Sequence, residues 1–119
     1  MKKNIFIVGG TSGIIIPCLK LFIKKYNVYA TYSKRDSLKN IPQDIIGSKK
    51  IKFIKIDFNL KNSEIIKVLK KNKIKADIII NTVGGNFGIK EYPYDLKLWQ
   101  KSLDLNFFKN ILINNYFMK

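Results

Sequence analysis

The chain has 119 residues, of which 46% are hydrophobic and 13% aromatic. This length allows one domain at most, with a modest core, because a chain of this size buries only about two-thirds of its unfolded surface. The apolar content excludes a disordered chain in spite of a formal net charge of +15 at pH 7.

The positive charge comes almost entirely from lysine, since Arg35 is the only arginine among 23 basic residues. Surfaces that clamp phosphates or read bases normally use several arginines for their bidentate geometry. The lysines are scattered over expected strand ends and helix faces. Solvated surfaces in a lysine-rich composition therefore explain the charge better than nucleic-acid binding, which stays a less favoured alternative.

The cysteine and histidine content indicates a reducing compartment. Cys18 is the only cysteine and histidine is absent, which excludes an internal disulfide and the usual zinc spacings, so no metal site is predicted. Lys2 and Lys3 precede an apolar stretch that resembles a secretory signal, but glycines interrupt it and Pro17 follows it. No apolar run approaches the roughly 18 residues that span a bilayer. We expect a soluble, cytoplasmic protein without membrane contact.

Predicted strands and helices alternate along the chain. Residues 5–8 form a continuous β-branched run, typical of a strand buried on both faces, and residues 28–32, 51–57 and 77–81 are the other predicted strands. Helix one runs from after Gly13 to residue 26, and a short helix is expected around 37–40. Ser63 is predicted to cap a third helix to residue 72, and Asp95 a long last helix. Right-handed crossovers then give an α/β fold: half of a doubly wound Rossmann fold, with a parallel sheet in the order 3-2-1-4.

Apolar spacing defines the faces of the first and last helices, and a glycine cluster follows strand four. Helix one carries its apolar residues at Ile15, Leu19, Phe22 and Ile23, and the last helix at Leu98, Leu103, Phe107, Ile111 and Leu112. Gly84, Gly85 and Gly88 are predicted to lie in a loop.

The segment from Val8 to Ile15, V-G-G-T-S-G-I-I, lies between strand one and helix one. Backbone N–H groups and the helix dipole at such a place can hold a pyrophosphate. Gly9 permits the tight turn, and Gly13 lets the backbone approach the phosphates without a Cβ in the way. Taken alone, the motif also fits an ordinary strand-to-helix turn.

This segment resembles the T-G-x-x-x-G-x-G fingerprint of the short-chain dehydrogenase/reductase family, and later matches follow in order. Asp57 resembles the Asp that binds the adenine ring, and residues 81–84, N-T-V-G, are similar to the N-N-A-G motif. Asn106, seven residues after Trp99, resembles the Asn of the catalytic tetrad. The resemblance implies a catalytic role for Asn106 and cofactor contacts from Gly9, Thr11, Ser12, Gly13, Ile14, Asp57, Phe58, Asn81, Val83 and Gly84. By their local pattern alone, Asp57 could simply make a turn and Asn106 could be a polar helix residue.

Cofactor preference is expected at the end of strand two, where an acidic residue favours a ribose hydroxyl and a basic one a 2′-phosphate. The residues there are Ser33, Lys34 and Arg35. They predict NADP(H) rather than NAD(H), held by Arg35 with help from Lys34 or Ser33. A solvated loop is the alternative.

Two residues depart from the family pattern near the fingerprint. Ile15 replaces the last glycine, where a small residue normally allows helix and strand to pack closely. Pro17 removes a backbone donor, so either the helix begins late with Pro17 near its first position or the loop is reshaped.

The family's catalytic Ser and its Tyr-x-x-x-Lys pair would lie beyond Lys119. Tyr92 and Tyr94 have no lysine four residues later, and for Tyr116 that position also lies beyond Lys119. The resemblance therefore implies the N-terminal half of an NADP(H)-dependent carbonyl or alcohol oxidoreductase, with this chain inactive alone. A non-catalytic nucleotide-binding or regulatory module, or an inactive gene fragment, is the alternative. An unpaired edge at strand four and an exposed surface at Phe107, Phe108 or Ile111 predict association with a second chain or another copy.

Overall fold

The computed structural model describes residues 2–84 and 95–118. The chain divides into two compact units, Met1–Thr82 and Val83–Lys119, and each is considered by itself. Two residues of the predicted glycine loop, Gly85 and Gly88, lie outside the described residues. No helix in the described ranges is long and apolar enough to cross a membrane.

The first unit alternates strands and helices. Its elements are β1 (Asn4–Val8), α1 (Ile16–Lys25), β2 (Asn27–Tyr32), a 3-10 helix (Arg35–Asn40), α2 (Gln43–Ile46), β3 (Ile51–Lys55), α3 (Asn62–Lys71) and β4 (Ile78–Asn81). All strand pairs are parallel, and the sheet order is β3-β2-β1-β4. The predicted α/β class and strand order are confirmed, and β4 is an edge of this sheet.

The core lies against the central strand β1, which is buried on both faces. Ile5 and Ile7 point to one face and pack in a cluster with Leu19 of α1 and Val28 of β2. Phe6 and Val8 alternate to the other face and are fully buried as well. Residues 5–8 form a continuous apolar run because β1 is the central strand of a parallel sheet, where both faces are covered.

Several predicted boundaries were wrong by a few residues. β3 ends at Lys55, although the Ile56 N–H still donates to the Tyr32 carbonyl at 2.9 Å. Ser63 does not cap α3, because the helix begins at Asn62 and its N-cap, Lys61, makes no side-chain capping bond. The four-residue helix α2 was not predicted, since four residues are too few for a periodic signal.

Helix α1 begins late, which settles the position of Pro17. The helix starts at Ile16, so Pro17 is its second residue, where a missing backbone N–H costs no helical bond. A turn precedes the helix, in which the Ser12 carbonyl accepts from the N–H groups of Ile15 and Ile16, both at 3.0 Å. The late start was one of the two alternatives left open by the sequence.

The second unit consists of helices in the part that the structure describes: α4 (Leu96–Leu103), a π-helical turn (Asp104–Phe108) and α5 (Lys109–Phe117). Asp95 caps α4 as predicted, because its Oδ1 accepts from Lys97 N at 3.0 Å and Leu98 N at 3.3 Å. The predicted long last helix is present, since the helical residues run without a break from Leu96 to Phe117, but it contains the π-helical turn, which was not predicted.

Candidate functional site

The loop between β1 and α1 turns sharply at Gly9. Gly9 has a φ of 87°, a left-handed conformation that strains any residue with a Cβ. Its N–H donates to the Thr31 Oγ1 at 2.8 Å, and its carbonyl accepts from the Thr82 Oγ1 at 2.9 Å. The peptide groups on both sides of Gly9 are thus held by side chains from the two strands that flank β1.

Thr31 and Thr82 are the residues that sequence reasoning missed. Thr31 is buried near the end of β2, and Thr82 directly follows β4. Thr82 also donates its backbone N–H to the Val8 carbonyl at 2.8 Å, and the Gly10 N–H donates to the Thr31 carbonyl at 2.8 Å. A hydroxyl residue at the carboxyl end of each strand beside β1 was the signal that could have identified them.

Three backbone N–H groups of this loop have no hydrogen-bond partner in the part of the chain that the structure describes. Within the described residues, no hydrogen bond uses the N–H of Thr11, Gly13 or Ile14. The Ser12 N–H, by contrast, donates to the Gly9 carbonyl at 3.2 Å. Free N–H groups just before a helix form the donor set that binds an anion such as a phosphate.

The glycines of the loop differ in what surrounds them. A Cβ on Gly10 would lie 2.5 Å from the Ala30 Cβ, so Gly10 is required by packing against β2. A Cβ on Gly13 would meet no atom within 4 Å. Gly13 is therefore not required by packing inside the described chain, and the space above it is open to a ligand.

Ile15, which replaces the last glycine of the fingerprint, points into the core and away from the open space at Gly13. Ile15 is buried and packs in the core cluster with Leu19 and Ile41. The next predicted site residue, Ile14, is 79% exposed. The core accommodates the Ile15 side chain, and the apolar side chain presented to solvent in the loop is that of Ile14.

Ser33, Lys34 and Arg35 follow the end of β2, and all three are exposed. Lys34 and Arg35 form no ion pair within the described part of the chain. The Lys34 carbonyl accepts the Ser37 N–H at 3.0 Å, which fixes the turn into the 3-10 helix. Two free cations thus lie on the segment that directly continues the strand of Thr31.

Asp57 and Phe58 follow β3 at the same edge of the sheet. The Asp57 Oδ1 accepts the Asn59 N–H at 2.9 Å, so the turn expected from its local pattern is present. The Phe58 side chain is buried, and no hydrogen bond among the described residues uses its backbone N–H. Phe58 can therefore reach a ligand through its backbone only.

The N-T-V-G segment begins at the last residue of β4. Asn81 is exposed and Val83 is half-buried, and both take part in interactions within the chain. Asn81 belongs to the first unit, whereas Val83 and Gly84 belong to the second.

Asn106 lies inside the π-helical turn of the second unit. Its Nδ2 donates to the Ser102 carbonyl at 2.9 Å and to the Ser102 Oγ at 3.1 Å. Its Oδ1 occupies the space that a Cβ on Gly84 would need, so these two predicted site residues are brought together. The Asn110 Nδ2 donates to the Asn106 carbonyl at 3.0 Å, and the Asn110 Oδ1 is buried without a partner among the described residues. Single π-helical turns are frequent at functional sites.

The described residues contain no group of three or more His, Cys, Asp or Glu side chains that could hold a metal ion. The donors at the carboxyl edge of the first unit are instead backbone N–H groups and cationic side chains. This set is suited to a phosphorylated ligand.

No protein-family model and no curated protein sequence matches the chain. Solved structures do match. A variant of ElxO with NADPH bound is 25% identical, with a TM-score of 0.70 over 98% of this chain and 49% of that chain. A short chain dehydrogenase family protein from Francisella tularensis is 24% identical, with a TM-score of 0.74 over 97% of this chain and 45% of that chain. A variant of actinorhodin polyketide ketoreductase with NADPH is 14% identical, with a TM-score of 0.77 over 99% of this chain and 47% of that chain.

This chain spans about half the length of each of these structures. Its fold is the fold of the N-terminal half of short-chain dehydrogenases/reductases, and the resemblance predicted from the sequence is confirmed.

Proposed function

We propose that the chain is a dinucleotide-binding half of a short-chain dehydrogenase/reductase and that it binds NADP(H). The observation that carries this proposal is the set of unpartnered N–H groups at Thr11, Gly13 and Ile14. They precede α1 in a loop fixed at Gly9, so they can receive the pyrophosphate without a large rearrangement.

The remaining ligand contacts follow from the same edge of the sheet. The Asp57 carboxylate supplies an acceptor and the Phe58 backbone N–H a donor, and the edge of adenine offers the complementary amine and ring nitrogen. Asn81 lies at the end of β4 beside the loop of β1. We assign the adenine to Asp57 and Phe58, and the rest of the dinucleotide to the loop after β1 and to Asn81 at the end of β4.

The preference for NADP(H) rests on Arg35, with Lys34 and Ser33 beside it. An exposed guanidinium without an acidic partner in the described residues can bind a 2′-phosphate in a bidentate manner, and no acidic side chain is present at residues 33–35 to accept a ribose hydroxyl. Two of the similar structures carry NADPH, which supports the same choice.

Isothermal titration of the full chain with NADP+ and NAD+ tests this preference. We expect tighter binding of NADP+, and in the variant Arg35→Ala a loss of about tenfold or more for NADP+, since a hydrogen bond to a charged group contributes about 1.5–3 kcal/mol. The affinity for NAD+ should change little. Equal or tighter binding of NAD+ by the unaltered chain would contradict the assignment.

For the intact oxidoreductase we propose NADP(H)-dependent carbonyl or alcohol chemistry, with Asn106 as the residue of this chain that takes part in it. The support is the π-helical turn around Asn106 and its place beside Gly84. Residues 96 and 98 are leucines, so neither Tyr92 nor Tyr94 begins a Tyr-x-x-x-Lys pair, and we expect another segment to supply the general acid of the intact enzyme. We expect this chain alone to show no turnover.

The lack of a Tyr-x-x-x-Lys pair among the 119 residues of the sequence also supports a second candidate, a module that binds the dinucleotide without catalysis. The two candidates differ when a chain with the missing Ser and Tyr-x-x-x-Lys is supplied. Turnover of a carbonyl substrate in the mixture would favour the split enzyme, whereas binding without turnover would favour the regulatory module.

We also propose that the chain associates through its last helices and works in the cytoplasm. Phe107, Phe108 and Ile111 are exposed together in the second unit, a surface that favours contact with a second chain or another copy. The single thiol, Cys18, is free, which fits a reducing compartment. A sharp monomer in light scattering at high concentration would contradict the association.

A further inference from the structure

A cavity of about 260 Å³ lies at the amino-terminal edge of the sheet in the first unit. Its lining includes the first residues of three strands, Asn4, Asn27 and Ile51, together with Lys50 and Lys52. Because the strands are parallel, this edge is opposite the carboxyl edge that carries the Gly9 loop. The cavity is therefore separate from the proposed dinucleotide site.

The cavity has a positive lining, and no acidic residue is among the described residues that line it. Lys49, Lys50 and Lys52 line it, and Lys2 lies beside Lys50. None of these four lysines forms an ion pair within the described residues. The pKa of Lys2 is lowered, first by a side-chain hydrogen bond with Lys50 and then by desolvation and by repulsion from the Lys50 charge. The positive charges of Lys2 and Lys50 therefore act on each other at this edge of the sheet.

The backbone around these lysines is fixed by hydrogen bonds. The Lys50 carbonyl accepts the Val28 N–H at 2.8 Å, and the Lys50 N–H donates to the Ser48 Oγ at 3.2 Å. The nearby carboxylate of Asp77 accepts the Asn4 N–H at 2.7 Å and makes no ion pair with a described lysine. The backbone of Lys50 is therefore held at the amino-terminal edge of the sheet, beside the first residues of β2 and β3.

We propose that this cavity binds a small multivalent oxyanion of the phosphate type, held by Lys50 with Asn27, Lys49 and Lys52 beside it and Lys2 nearby. Its volume lies below the roughly 300–1,000 Å³ of pockets that enclose drug-sized ligands, so a phosphate or pyrophosphate group fits and a whole dinucleotide does not. Ammonium groups bind phosphate as point charges, and a bound anion removes the repulsion between Lys2 and Lys50.

Titration of the isotope-labelled full chain with sodium pyrophosphate at constant ionic strength, followed by NMR, tests the proposal. We expect saturable shifts at the amides of Asn4, Asn27 and Lys50, and a rise in the pKa of Lys2, because an adjacent anion favours its charged form. The variant Lys50→Met should weaken binding at these amides about fivefold, the upper range for an exposed charge pair.

Lys67→Met is the matched control, since Lys67 is an exposed residue of α3 and its loss changes the net charge equally. We expect it to leave the affinity unchanged. Shifts at Thr11, Gly13 and Ile14 would report separately on the dinucleotide site. The proposal is overturned if the amino-edge amides do not saturate, or if both variants weaken binding equally. It is also overturned if an oligonucleotide binds tighter than pyrophosphate with equal dependence on both lysines, because that pattern describes diffuse binding of nucleic acid.

Discussion

Phe6 in the first unit and Phe107 in the second carry the same side chain, yet Phe6 is 0% exposed and Phe107 is 53% exposed. The contrast extends to the units as a whole. Among the described residues, only two of the buried hydrophobic side chains, Leu105 and Ile113, belong to the second unit. The first unit therefore contains nearly all of the core, whereas the second presents much of its apolar surface to solvent. The proposed dinucleotide loop therefore lies on the unit with the buried core, and the proposed association surface lies on the other unit.

Truncation of the two phenylalanines tests this contrast most strongly. We expect Phe6→Ala to lower the free energy of unfolding by about 3–5 kcal/mol, because it leaves a cavity in the core. Phe107→Ala should change it by no more than about 0.5 kcal/mol, as an exposed substitution does. Urea unfolding followed by circular dichroism measures both. Similar losses in the two variants would show that the second unit depends on its apolar face as much as the first depends on its core.

Gly10 and Gly13 lie in the same loop, but only Gly10 is tightly packed against a neighbouring strand. Gly10→Ala places a Cβ against Ala30 and should destabilise the chain by about 1–3 kcal/mol through overpacking. Gly13→Ala meets no atom, so its unfolding free energy should be nearly unchanged while NADP+ binding is weakened. Thermal melting and calorimetric titration separate the two effects. A Gly13→Ala variant that binds NADP+ normally would remove the loop from the site.

Each unit contains one Asp–Lys ion pair, and the two pairs differ in how far they are buried. The Asp104 Oδ2 lies 3.1 Å from the Nζ of the buried Lys109, whereas the Asp36–Lys39 pair is 3.5 Å apart and exposed. We expect Asp104→Asn to cost about 1–2 kcal/mol, less than a fully buried pair because Asp104 is half exposed. Asp36→Asn should cost no more than about 0.5 kcal/mol. Equal costs in chemical denaturation would argue against a specific role of the pair beside Asn106.

The smallest expected difference is between the two threonines that hold Gly9. Thr31→Val leaves the Gly9 N–H without an acceptor and should cost about 1–2 kcal/mol. Thr82→Val should cost less, because the Val8 and Gly9 carbonyls keep other donors, the backbone N–H groups of Thr82 and Ser12. Hydrogen exchange at the Gly9 amide provides a local readout. Unchanged exchange in Thr31→Val would show that the hydroxyl does not hold the loop.

Most of the sheet could be predicted from the sequence, because buried parallel strands such as Ile5 to Val8 appear as uninterrupted apolar runs. The π-helical turn could not be predicted from the sequence, because the residue types that form it also occur in ordinary α-helices. Thr31 and Thr82 were missed for a different reason. Their hydroxyls contact Gly9 across separations of 22 and 73 residues, so finding them required combining the predicted strand order with the hydroxyl residues at the carboxyl ends of the strands beside β1.

We propose that the loop after β1 receives the pyrophosphate of a dinucleotide. The most direct measurement is an NMR titration of the labelled chain with NADPH, observing the backbone amides of Thr11, Gly13 and Ile14. We predict large, saturable shifts at these three amides, with a small shift at Gly9, whose N–H is already bonded to Thr31. Saturable binding that leaves the three amides unperturbed, or no binding at all, would contradict the account.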